Sequence, residues 1–113
     1  MAMIPGRYYI HSAIRLTIKF YDSDETDVDP DGVVCKTLSP SGVETSYTYG
    51  VTDGLGRVDA GDYYLDFVPN ESGRWHFRWE SSDDGVTYDI AEEGNFLVQH
   101  SAFYDGTVRA YGR

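Results

Sequence analysis

Residues 61–80 read GDYYLDFVPNESGRWHFRWE, and the fold is decided there. Tyr63, Leu65 and Phe67 fall on one face of a period-two segment, with Tyr64 and Asp66 on the other. Trp75, Phe77 and Trp79 repeat the pattern twelve residues on, against Arg74, His76, Arg78 and Glu80. Strict alternation of apolar and polar residues marks a strand with one buried face. The connector Val68-Pro69-Asn70-Glu71-Ser72-Gly73 is rich in turn formers, so two half-buried strands are joined by a short irregular link.

The same period extends in both directions. Ile14, Leu16, Ile18 and Phe20 alternate with Arg15, Thr17 and Lys19. Residues 32–38 (GVVCKTL) form another strand, closed by the turn Ser39-Pro40-Ser41-Gly42, and residues 44–49 (ETSYTY) a further one. A Gly-rich turn at 52–56 leads to a short strand at Arg57 and Val58. After Ser82-Asp83-Asp84-Gly85 come a short strand at 86–90 and a last one at 95–99, with Phe96 and Val98 inward. No helical period occurs anywhere. About seven short strands separated by Gly and Pro turns predict an all-β, antiparallel sandwich. Trp75, Trp79, Phe67, Leu65 and Leu16 are its expected core.

The chain of 113 residues makes one domain, with a sandwich over residues 12–99 and extended arms at 1–11 and 100–113. The arms lack strand alternation but carry Tyr8, Tyr9, Phe103, Tyr104 and Tyr111. These aromatics either pack back onto the sandwich edge or dock onto neighbouring subunits. The second is favoured, because the loops of the sandwich are acidic and Gly-rich while the termini are adhesive.

Charge limits the partners. Nine Lys and Arg against nineteen Asp and Glu give −10. Phosphate backbones and anionic membrane surfaces would be repelled, so neither nucleic acid nor membrane is expected as a partner. No segment has the ~20 consecutive apolar residues of a membrane span. The N-terminus lacks the apolar run and cleavage site of a signal peptide. The single cysteine, Cys35, cannot form an internal disulfide; a reducing compartment and a buried structural thiol are expected.

Candidate chemistry is sparse. Asp27-Val28-Asp29-Pro30-Asp31-Gly32 matches the D-x-D-x-D-G opening of a calcium loop. Leu38 stands where the bidentate Glu belongs, and no helices flank the segment. Two readings stand: a calcium ion on Asp27, Asp29 and Asp31, or a solvated acidic turn. The second is expected, so no cofactor is assigned. His11, His76 and His100 are read as surface or edge residues, no nucleophile elbow exists, and catalysis is not expected. Tyr47, Tyr49, Tyr64 and Tyr88 are candidates for stacking on sugars.

Two resemblances follow from these residues. Asp59-Ala60-Gly61-Asp62-Tyr63-Tyr64-Leu65 resembles the D-x-G-x-Y-x-C element of immunoglobulin-like domains, with Leu65 in the place of the cysteine. The wider stretch from Gly61 to Trp79 is similar to an element of filamin-type sandwiches, which implies that the link from Pro69 to Gly73 crosses from one sheet to the other. Residues 12–99 also resemble small proteins encoded in the structural-gene clusters of tailed bacteriophages. The likeness rests on Val28-Asp29-Pro30, Pro40-Ser41-Gly42, the T-x-Y-x-Y-G end at 45–50, P-x-x-x-G-x-W-x-x-R-W at 69–79 and the E-G-x-F-x-V strand at 93–98. It implies a non-enzymatic virion component assembled in the host cytoplasm, at the head–tail neck or as a capsid or tail decoration, in many copies among other virion proteins. The alternative is an immunoglobulin-like module that recognises host-surface glycans or proteins.

Overall fold

The computed structural model describes residues 2–3 and 7–100. Nine strands are present among them: β1 (Ala2–Met3), β2 (Arg7–Tyr9), β3 (Ile14–Lys19), β4 (Gly32–Leu38), β5 (Glu44–Thr48), β6 (Leu55–Asp59), β7 (Asp62–Phe67), β8 (Gly73–Ser82) and β9 (Asp89–Gln99). They form two sheets, ordered β1-β3-β7-β6 and β2-β9-β8-β4-β5. The sheets pack as a sandwich of the immunoglobulin-like kind.

Sequence alternation sets which side chains meet. Along β3, Ile14, Leu16 and Ile18 point inward, and β7 pairs with it so that Leu16 faces Leu65 and Ile18 faces Tyr63. Trp75, Phe77 and Trp79 are the inward set of β8, in the opposite sheet. The link between β7 and β8 therefore crosses between sheets. Trp75 Nε1 donates to the Glu71 carbonyl at 3.0 Å and fixes it, while the Glu71 carboxylate accepts from the Ser41 amide and hydroxyl in the β4–β5 turn. Aromatic pairs close the centre: Trp75 stacks on Phe96 with centroids 6.4 Å apart, and Tyr8 meets the edge of Phe96 at 5.7 Å. Cys35 lies in this layer, fully buried, and burial pushes its thiol pKa up. A thiol held protonated and out of contact with water is a packing residue.

Four expectations are corrected. The pairings are not all antiparallel: β1 runs parallel to β3 and β2 parallel to β9. Residues 7–9 thus belong to the sandwich and not to an arm. Three residues of alternation are too few to show as a pattern, and only the pairing with β9 reveals the strand. The segments expected at 86–90 and 95–99 are one strand, Asp89–Gln99, whose first half pairs with β8 while exposing its side chains. Phe67 is only partly buried, because it ends β7 at the margin of the core.

The fourth correction is Tyr8. It is 4% exposed, within the core cluster, whereas its neighbour Tyr9 is 51% exposed. A side chain already buried in its own domain is not a docking residue. Replacing Tyr8 by Ala should lower stability in urea unfolding by about 3–5 kcal/mol, the cost of deleting a core aromatic. Tyr9→Ala should change it by less than about 0.5 kcal/mol, as for ordinary surface positions. Equal effects would show that the two rings share one environment.

Candidate functional site

Three loops meet at one end of the sandwich: residues 20–31, 59–62 and 83–89. The register brings them there, since Lys19 pairs with Asp62, Gly32 with Ser82 and Ser81 with Asp89. Together these loops carry eleven Asp and Glu and no Lys or Arg. That count accounts for most of the acidic excess of the chain.

Asp29 is the structural centre of this end. Its carboxylate accepts both guanidinium donors of Arg57, at 3.0 and 2.9 Å. It also accepts the Gly61 amide at 2.8 Å and the Tyr63 hydroxyl at 3.0 Å. Arg57 first, then the Gly61 amide and the Tyr63 hydroxyl, hold the Asp29 carboxyl far below the usual carboxylate range. Burial, with Asp29 as the next cause, pushes the Tyr63 hydroxyl up to about 12. The amide reaches Asp29 because Gly61 has φ 74° and sits against backbone: a Cβ there would collide with the Phe20 carbonyl. Phe20 N in turn donates to the Gly61 carbonyl at 2.7 Å. The β3–β4 loop is thus bonded to the β6–β7 turn across the open end.

The three carboxylates of the calcium-like segment have different surroundings. The Asp29 oxygens are taken by the Arg57 cation and by neutral donors, Asp27 faces Lys19 Nζ at 3.5 Å, and Asp31 is solvent-exposed. Among the described residues no three His, Cys, Asp or Glu side chains converge on a metal position. Asp22 and Asp84 also serve their own loops. Asp22 Oδ1 accepts from the Asp24 and Thr26 amides, and Asp84 Oδ1 from those of Val86 and Thr87. Sequence reading overlooked Arg57, the counter-ion of Asp29, because its partner lies 28 residues away.

The tyrosines divide by face. Tyr47 turns inward and packs on the core. Tyr64 lies on the outer face of the four-stranded sheet, with the Arg15 guanidinium 3.9 Å from its ring centre. Tyr49 and Tyr88 instead both line a groove of about 390 Å³ at the acidic end, with Asp31, Arg57 and Tyr63. Tyr49 meets Tyr63 edge to face at 5.1 Å. A second groove, about 470 Å³, crosses the outer face of the five-stranded sheet over Lys36, His76, Arg78 and Glu93. His76 lies there as expected, outside the core. Of the expected docking residues, Tyr9 lies exposed on β2, and Phe103, Tyr104 and Tyr111 lie outside the described residues.

Two measurements test this site. Asp29→Asn should lower the melting temperature by its full amount above about pH 5, where an unfolded carboxylate with pKa ~3.9 is ionised. The native carboxylate titrates lower, so its stabilisation is lost as pH falls below about 4, and the two melting temperatures should converge there. A gap that stays constant down to about pH 2 would contradict the pairing. Millimolar calcium should leave the melting curve of the native chain unchanged, since a ligand of the folded state would raise it.

No protein-family model matches the chain, and no curated protein does. Solved structures do. The filamin domain of Lin-41 is similar with a TM-score of 0.60 at 14% identity, over 84% of this chain and 84% of that one. Chitinase ChiW from Paenibacillus sp. strain FPU-7, a cell-surface-expressed multi-modular enzyme, is similar with a TM-score of 0.60 at 21% identity. That match covers 85% of this chain but 8% of the chitinase. At these identities the likeness is one of fold, and the fold of this chain is the filamin-like, immunoglobulin-like sandwich.

Proposed function

We propose that the chain is a non-enzymatic structural component of a tailed-phage virion, placed at the head–tail neck or as a decoration of capsid or tail. The observation that carries this reading is the ordered series of motifs along residues 12–99. Those motifs fall on the parts that hold the sandwich together: Val28-Asp29-Pro30 at the Asp29 network, Pro40-Ser41-Gly42 at the β4–β5 turn, and Pro69 to Trp79 at the crossing link. The proposed partners are other virion proteins, in many copies, so that weak contacts add by avidity. Docking would use Tyr9 and the segment 100–113. A second reading, a recognition module for host-surface glycans or proteins, is favoured by one observation: Tyr49 and Tyr88 share a groove among loops at one end.

Mass spectrometry of gradient-purified particles from cells carrying the gene tests the first reading. The chain should sediment with particles at a fixed ratio to the major capsid protein. Recovery only in the soluble fraction would refute it. Deleting residues 100–113 should lower incorporation; incorporation at the normal level would refute the docking mode alone.

A further inference from the structure

We propose that the tyrosine groove at the acidic end is a docking site for a basic, extended peptide segment, whose Lys or Arg side chain enters between Tyr49 and Tyr88. The inference stands apart from the virion assignment and holds for a module in any setting. The groove is concave and aromatic, lined by Tyr49 and Tyr88 together with Asp31, Thr48 and backbone of Gly32 and Gly85. Aromatic ring faces attract cations, most of all where water is partly excluded. The Tyr88 ring lies directly on the backbone of Gly32, in space that any side chain at that position would fill. Glycine at 32 therefore lets the ring form one wall.

Charge chooses the occupant. Arg57 is the one cation in the lining, and its guanidinium is held by both oxygens of Asp29. Asp31 remains exposed at the rim. The flanking loops 20–31 and 83–89 add carboxylates without a single Lys or Arg. An anionic ligand would meet this field head-on, and a neutral saccharide would gain nothing from it. A cationic side chain is drawn in by the field and then held by the rings. Two exposed apolar side chains lie close in sequence to lining residues: Val86, next to Gly85, is 80% exposed, and Val51, two residues beyond Tyr49, is 82% exposed.

The test uses the full chain and a fluorescein-labelled peptide of alternating Arg and Gly with four arginines, read by anisotropy. Saturable binding should weaken more than tenfold between about 0.05 M and about 0.5 M NaCl, as screening of exposed charge requires. Tyr88→Ala should weaken it about 5- to 10-fold, the range of one cation–ring contact. Gly32→Ala should do nearly the same without removing an aromatic or a charge, by pushing the Tyr88 ring aside. The double change Glu44→Gln with Glu71→Gln removes two charges at the opposite end of the sandwich, where Glu44 opens β5 and Glu71 meets the β4–β5 turn, and should shift affinity less than about twofold. Melting curves confirm that each variant is folded, and the two groove variants stand in for one another should either fail to fold. The proposal is overturned if no saturable binding occurs, if the double variant weakens binding as much as Tyr88→Ala, or if both groove variants bind normally. Displacement of the peptide by a neutral oligosaccharide at lower concentration would also overturn it.

Discussion

One buried layer carries this fold. No disulfide joins the two sheets, and the lone Cys35 is a packing residue inside them. What holds β3 and β7 against β8 and β9 is the interlocking of Leu16, Leu65 and Tyr63 with Trp75, Trp79 and Phe96. The hydrophobic effect has no direction, so it does not by itself choose a register. The pleat does: a slip of one residue along β8 would turn both tryptophans to solvent and bring Arg74 and Arg78 inward. Every other feature, including the placing of the loops, inherits that register.

The ends of such a sandwich need separate attachment, because loops contribute little to the layer. Here the attachment is electrostatic. Asp29 collects a bidentate guanidinium, a backbone amide and a phenol. Four donors on one carboxylate outweigh an ordinary surface ion pair, which is worth little alone. Asp29 spends its oxygens on donors of the protein itself. That choice leaves the loops held in place while most of their carboxylates face water, so the end is both ordered and strongly negative.

Much of this was legible in the sequence, for a physical reason. Alternation is a local signal, and where a strand has one buried face it writes itself plainly, as in Trp75-Phe77-Trp79 or Ile14-Leu16-Ile18. The turn residues Pro40 and Gly73 are equally local. What escaped has a partner far along the chain. Strand β2 is recognisable only by its pairing with β9. Tyr8 reads as an aromatic on a ragged end until Phe96 is seen beside it. Asp29 reads as one more carboxylate of an acidic turn until Arg57 arrives from β6. Tyr49 and Tyr88 were legible as candidates, but only the fold separates them from Tyr47, which packs inward, and Tyr64, which lies beneath Arg15.

The parallel pairing of β2 with β9 has a mechanical consequence. The chain enters the five-stranded sheet through Arg7–Tyr9 and leaves it through β9, and these two strands lie side by side in the same direction. Tension applied to the chain before Arg7 and after Gln99 therefore pulls the two strands past each other lengthwise. Their slanted hydrogen bonds lie across the pull and are loaded together, whereas an antiparallel hairpin pulled at its open end unzips one bond at a time. Tyr8, pinned against Phe96, adds its burial to the same joint. The sandwich is built as a shear clamp, and load along the chain would be borne at that joint first.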